Sequence, residues 1–398
     1  MKLTKAAVAV ATIVAAVSVS AQTANVTLYG YINTSIESNR GSQGANTVGK
    51  PVTSSTINRV TANSSQFGFR GSEDLGGGMS AVFNLQSGFG SDDGVLNGGA
   101  MFAREAWVGL QGGFGQVRVG YGLTAYDDVL GLSHQNIGST GFQNRNGGLS
   151  SGPGFAQNQL FTNYGRSGVP GCTTDSNFDA RAANSLSYQT PDMAGFRVRT
   201  TYALVNEVPD GCRLWDTGAV YSNGPITAGL AYSMHSRFSG LGGAAVGAGS
   251  LVNASGTHNQ NAIRAYGRYN FGIARIDAAY EVMSFKVASG TLKAKYWELG
   301  GQVPMGAANF GLQYSQRDNG TAWAYSVPVG YAIPVGTASL SQIANIRNNW
   351  TVGGGKHLAF VADYSFSKRS QLYAYFSNLK NETNGKLNTL AVGMIHRF

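Results

Sequence analysis

The chain has 398 residues, 12% of them charged and 42% hydrophobic, with 56 glycines, 19 tyrosines, 19 phenylalanines and a formal net charge of +9. A mean hydropathy of −0.11 with so few charges excludes a disordered polyampholyte, and the glycine and aromatic content describes many strands joined by turns. Beyond the first 21 residues no stretch offers the roughly 18 uninterrupted apolar residues of a spanning helix, so a membrane protein of this sequence has to cross as a closed sheet, the other structure that satisfies every backbone N–H and C=O in lipid.

Met1 to Ala21 has a basic start at Lys2 and Lys5, an apolar run from Ala6 to Val17, and small residues before a cut after Ala21. This is the pattern of a secretory signal. Residues 1–21 are therefore expected to be a signal peptide and 22–398 a single barrel domain. Removing the signal takes two lysines, so the mature charge is +9 − 2 = +7.

From there the chain alternates. Val26, Leu28, Ile32, Thr34 and Ile36 oppose Thr27, Tyr29, Tyr31, Asn33 and Ser35, the period-two signature of a strand with one apolar face. Phe67 and Phe69 oppose Gln66, Gly68 and Arg70, and Ala81, Phe83 and Leu85 oppose Val82, Asn84 and Gln86. Val117 and Val119 flank Arg118. Later runs place Arg197 and Arg199 against Phe196 and Val198, Arg264 and Arg268 against Ile263 and Ala265, and Asp277 and Glu281 against Ile276 and Tyr280. The last run, Leu387 to Phe398, puts Leu390, Val392 and Met394 on one face. Such runs number about sixteen, with 56–72 as one of them, and aromatics near their ends, including Tyr29, Phe69, Tyr188, Phe196 and Phe366, suit interfacial girdles.

Connections alternate in length: short turns such as Gly272-Ile273 and Ser367-Lys368-Arg369 on one side, long inserts at 39–55, 122–180, 236–259 and 318–349 on the other. Outer-membrane barrels have this asymmetry, and a soluble sandwich has no reason for it. The expected fold is an all-β, antiparallel transmembrane β-barrel. The insert from Gly122 to Ala180 lacks alternation and reads as a loop, and so long an insert in a compact domain is generally functional or disordered. It carries Asp127 and Asp128 at its entry and Arg145 and Arg166 further on, with no Asp or Glu between Val129 and Thr174. We expect it to fold into the barrel mouth and set the pore's width and charge preference. Export to an oxidising compartment makes a bridge between the two cysteines, Cys172 and Cys212, the expected state.

Enzyme motifs do not hold. Gly148-Leu149-Ser150-Ser151-Gly152 spells a nucleophile elbow but lacks a strand–turn–helix context. The five histidines have no zinc-site spacing, and Gly354-Gly355-Lys356-His357 is no phosphate loop, so no cofactor or metal is expected. The arginines are scattered over many strands behind a signal peptide, which argues against nucleic acid as partner.

Several blocks together resemble the trimeric general porins of Gram-negative outer membranes, the beta-proteobacterial type in particular. They are Val26-Thr27-Leu28-Tyr29-Gly30, Phe67-Gly68-Phe69-Arg70-Gly71-Ser72-Glu73-Asp74-Leu75-Gly76, Arg104-Glu105-Ala106-Trp107-Val108-Gly109-Leu110, Phe114-Gly115-Gln116-Val117-Arg118 and Gly393-Met394-Ile395-His396-Arg397-Phe398. The resemblance implies a sixteen-stranded barrel, a homotrimer in outer-membrane lipid and lipopolysaccharide, and a third extracellular loop folded inward to narrow a water-filled pore. It also implies a wall of arginines facing that loop, which lands on Arg104 and Arg181 with Arg70 and Arg118 nearby. Gln66 stands where another wall arginine is usual, and the family's acidic loop motif is missing. Further pore-lining candidates are Arg197, Arg199, Arg264 and Arg268.

The implied function is passive diffusion of small hydrophilic solutes and ions with a preference for anions. The alternatives are an anion porin specific for phosphate or organic acids, a barrel-embedded hydrolase, and a plugged adhesive barrel. The facing of Arg104 stays open at this stage. If Ala106, Val108 and Leu110 face lipid, strict alternation sends Arg104 there too; if Trp107 faces lipid, Arg104 faces the lumen. The cost of a lipid-facing arginine, about 2–4 kcal/mol at the midplane, and the resemblance favour the second.

Overall fold

The computed structural model describes residues 25–43, 55–96, 100–134, 178, 181–203, 213–239, 257–287, 290–318, 355–381 and 385–398. The strands are β1 (Asn25–Gln43), β2 (Ser55–Ala62), β3 (Gln66–Gly76), β4 (Met79–Gly88), β5 (Glu105–Gly112), β6 (Gly115–Leu123), β7 (Arg181–Gln189), β8 (Phe196–Ala203) and β9 (Arg213–Asn223). They continue with β10 (Ile226–Ser239), β11 (Thr257–Asn270), β12 (Arg275–Val287), β13 (Gly290–Met305), β14 (Ala308–Arg317), β15 (Gly355–Ser365), β16 (Ser370–Asn381) and β17 (Gly385–Arg397). Among the described residues a helix, α1 (Tyr126–His134), lies between β6 and β7.

Each strand pairs antiparallel with the next, apart from β2 and β3, which both pair with β1, and β17 returns to β1 from Tyr31↔Arg397 to Gln43↔Gly385, so the sheet has no free edge. The seventeen segments make a closed barrel of sixteen strands. The difference is β2 and β3, successive halves of one strand on the same neighbour: β1 pairs with β2 as far as Thr34↔Ala62 and with β3 from Tyr31↔Gln66. The run 56–72 is thus interrupted at Asn63–Ser65, where Ser64 has φ 58. The break is held by β1, since Asn63 N donates to Asn33 O at 2.8 Å and Asn33 N to Ser65 Oγ at 2.9 Å.

The alternation is inverted relative to a soluble protein. Val26, Leu28, Ile36, Val108, Leu110, Leu230, Leu299, Leu312, Leu390 and Val392 are exposed, while Asn33, Glu37, Thr61, Arg264, Glu281, Glu298 and Arg317 are buried. Apolar side chains face outward to lipid and charged ones face the barrel interior, the arrangement a closed sheet needs in a bilayer. Phe69, Tyr188, Phe196 and Phe366 are exposed on the outer surface as a girdle requires. Tyr29 is a correction: it points inward and donates to Asn84 Oδ1 at 2.6 Å. Connections at one end are short (77–78, 113–114, 224–225, 306–307), and those at the other include 44–54, 135–180, 240–256 and 318–354.

Candidate functional site: the inner wall and its helix

The largest departure from the sequence reading is at the start of the 122–180 insert. Gly122 and Leu123 still belong to β6, and the chain then turns inward and forms α1. Its first turn carries Asp127 and Asp128, where carboxylates suit the positive end of the helix dipole. Val129 and Leu130 are buried, and the helix packs on the inner face of β9 to β12. Two glycines make the seat. A Cβ on Gly218 would lie 2.2 Å from Ala125 O, and one on Gly229 would lie 2.9 Å from Val129 Cγ1.

Inward-facing arginines fix the helix. Arg199 grips Asp128 with two bonds of 2.6 Å and also donates to the carbonyls of Leu123 and Thr124. Arg268 donates to Leu132 O at 2.8 Å, near the helix C-terminus. Arg264, fully buried, donates to Glu281 at 3.0 Å, Glu298 at 3.1 Å and Ser133 Oγ at 2.6 Å. Tyr126 donates to the other oxygen of Glu281 at 2.8 Å, and Gln313 donates to Glu298 at 2.7 Å. Burial, reinforced by the Glu281 carboxylate, pushes the Tyr126 phenol well above its usual range, so it stays a donor. Phe178, near the insert's exit, is buried with its ring 6.0 Å from Tyr126 and 5.0 Å from His235. Between α1 and β7 to β9 lies a cavity of about 130 Å³ lined by Asp128, Leu132, Gln189, Arg197, Arg199, Gly218 and Val220.

The second cluster lies on β1, β5 and β7. Ala106, Val108 and Leu110 alternate outward, with Val108 and Leu110 exposed, while Glu105 is buried and accepts from Trp107 Nε1 at 2.7 Å. Trp107 therefore faces the interior, against the favoured branch of the alternation argument. Arg104 faces inward all the same, because it precedes β5 and escapes its alternation. Its N–H donates to Gln86 O and its Nε to Gln86 Oε1, both at 3.1 Å. Arg104, Arg397 and Arg181 all lie within electrostatic reach of the Tyr31 phenol. Among the described residues no carboxylate forms an ion pair with Arg181, and its Nε is buried without a hydrogen-bond partner.

The other candidates separate. Arg118 stacks 5.2 Å over Trp107 and donates to Leu123 O at 3.0 Å. Arg70 is exposed, 5.0 Å over Tyr29. Gln66 pairs in register with Tyr31. Arg197 is half-exposed beside Asp192 at 3.9 Å. Arg145, Cys172, Cys212 and the signal segment lie outside the described residues. The sequence reading missed Tyr31, Glu105, Glu281 and Glu298 as members of the wall. A signal for Glu281 existed, since a hairpin centred on 272–273 sets it opposite Arg264.

A family model described as Gram-negative porin matches residues 6–351. The chain is 29% identical over 415 residues to an outer membrane porin protein of Bordetella pertussis, with 94% of each chain covered. It is 29% identical over 356 residues to outer membrane porin protein 32 of Delftia acidovorans, covering 86% of this chain and 90% of that one. Among solved structures, an anion-selective porin from Comamonas acidovorans superposes with a TM-score of 0.63 at 22% identity, covering 94% of this chain and 100% of that one.

Proposed function

Because the chain belongs to the Gram-negative porin family and is an outer-membrane β-barrel, we propose that it works as a passive diffusion channel for small hydrophilic solutes and ions and that it prefers anions. The family is one of channels, not of enzymes. The observation that carries the channel reading is the inverted alternation around a sheet without edges: apolar outside, charged and hydrogen-bonding inside.

The anion preference rests on Arg104 and Arg181. Both lie within electrostatic reach of Tyr31, and Arg181 carries no ion pair among the described residues. Charge of one sign on a low-dielectric wall focuses ions of the other sign. Arg199 and Arg264 add little to that field, since Arg199 is paired with Asp128 of the helix and Arg264 with Glu281 and Glu298 of the wall. In this reading α1 and the rest of the 122–180 insert narrow the pore, and three copies assemble in the outer membrane. A planar bilayer tests both: purified protein should give conductance steps in groups of three with a reversal potential on the chloride side in a KCl gradient. Absence of any step would end the channel reading, and a reversal potential on the potassium side would end the anion preference. A narrower specificity for phosphate or organic acids would show as a permeability order that departs from solute size.

A further inference from the structure

The arginines of the inner wall are held in two different ways. Arg199 and Arg264 are held by carboxylates, and each of those ion pairs cancels a charge. Arg70 and Arg118 are held by rings: the guanidinium of Arg70 lies 5.0 Å from the centre of the Tyr29 ring, and that of Arg118 lies 5.2 Å from the centre of Trp107. An aromatic face attracts a cation through its quadrupole and carries no net charge of its own. Stacking therefore fixes a guanidinium without neutralising it, and it occupies the flat face rather than the in-plane N–H groups that pair with anions.

The rings are themselves fixed. Tyr29 donates to Asn84 Oδ1 at 2.6 Å, Asn84 Nδ2 donates to Glu105 Oε2 at 2.6 Å, and the same oxygen accepts from Trp107 Nε1 at 2.7 Å. One amide and one carboxylate thus join both rings in a single relay. Glycines make the room for it: a Cβ on Gly68 would stand 2.8 Å from Tyr29 Cζ, and one on Gly122 would stand 3.3 Å from Trp107 Cδ1. Glu105 and Asp128 lie within electrostatic reach of Arg118 and temper its charge. Neither closes an ion pair with it, and among the described residues Arg70 has none either.

Register brings these groups together. Arg70 is opposite Asn84, Asn84 opposite Trp107, and Trp107 opposite Gly120, with Arg118 two residues further along β6 on the same face. Two residues are about 7 Å along a strand. The cluster lies on the short-connection side of Arg104, since β5 runs from Glu105 past Trp107 to the 113–114 connection and β3 runs past Arg70 to 77–78. An ion moving from Arg104 toward that end meets a second pair of cations on the same wall.

We propose that Tyr29 and Trp107 are positioning residues that hold Arg70 and Arg118 as a second anion-selecting station between the Arg104 level and the short-connection mouth. The relay through Asn84 and Glu105 sets the two rings, and the rings set the two cations. The station rests on the anion preference proposed above and extends it to four residues that carry or aim charge outside the Arg104 and Arg181 pair.

The test uses the folded full barrel in planar bilayers and reads the chloride-to-potassium permeability ratio in a KCl gradient. Arg118→Gln should lower the ratio about twofold, and Trp107→Leu, which removes no charge, should lower it as far. The double variant should fall no further than either single one, because both changes act through one group. Trp107→Phe should keep the wild-type ratio, since a ring face remains. Arg70→Gln, Tyr29→Leu and Tyr29→Phe should repeat the pattern. A wild-type ratio in Trp107→Leu beside a lowered one in Arg118→Gln overturns the positioning role, as does a double variant whose losses add. A wild-type ratio in both Arg118→Gln and Arg70→Gln overturns the station. Should Trp107→Leu fail to fold, Asn84→Ala decides, since it cuts the relay and leaves every charge in place: a lowered ratio supports the proposal and an unchanged one overturns it. Wild type lacking any preference for chloride would end the anion reading itself, whereas a chloride-preferring wild type with unaffected variants ends this inference alone.

Discussion

Arg181 opens β7 with its Nε buried and without a hydrogen-bond partner among the described residues, and like Arg104 it is in electrostatic reach of Tyr31. With no paired carboxylate among the described residues, its charge would act on ions passing through the proposed channel. At about 8 Å in an effective dielectric of 20, a unit charge shifts an ion's energy by about 2 kcal/mol before screening. The Debye length is about 8 Å at 0.15 M and 30 Å at 0.01 M, so the preference should strengthen as salt is lowered. Arg181→Glu should reduce the chloride-to-potassium permeability ratio several-fold, and adding Arg104→Glu should reduce it further. Should the double variant keep the wild-type reversal potential in a tenfold KCl gradient, this pair is not the selectivity element. The sequence named both residues only through family resemblance. Strict alternation left Arg104 open and tied its inward facing to a lipid-facing Trp107, whereas the residue lies one position outside β5 and takes its direction from Gln86 instead.

Helix α1 was the element hardest to see. Nine residues with Gly131 in their midst have little propensity to fold alone, and their helicity comes from a seat that distant strands provide. Gly218, Gly229, Arg199, Arg264 and Arg268 are all on other elements, so a reading that moves along the chain sees a loop. The strands themselves were legible, because period-two alternation is local. Gly229→Leu would put a side chain where Val129 and Leu132 now sit. Arg264→Met would leave Glu281 and Glu298 buried without their cation, a loss of about 3–5 kcal/mol for a broken buried pair. Either variant should assemble, since the strand ladder is untouched, and should show a larger or fluctuating single-channel conductance as α1 leaves the wall. Wild-type conductance with wild-type noise in both variants would mean that the helix does not limit the pore.

For the molecule as a whole, the meander was legible in the unequal connections, because alternate connections of an up-and-down sheet fall at one end, and closure follows from the need to satisfy every backbone group in lipid. By sequence, the two cysteines fall in the connections that precede β7 and β9. Cys172 lies nine residues before Arg181, the first residue of β7, and Cys212 immediately precedes Arg213, the first residue of β9. Strands β7 and β9 flank β8, so their ends are about 10 Å apart at the usual strand spacing. Nine residues can reach about 30 Å, so the barrel permits a Cys172–Cys212 bridge, which would tie the exit of the insert bearing α1 to the next connection. It would close a loop of 212 − 172 = 40 residues, for which chain entropy predicts about 4 kcal/mol against the unfolded state. Alkylation of the unfolded protein without reductant should leave its intact mass unchanged, and alkylation after reduction should add two groups. The reduced protein should then lose its barrel at a lower temperature than the oxidised one. Two groups added before reduction would show free thiols and remove the bridge from the account of how the insert is held.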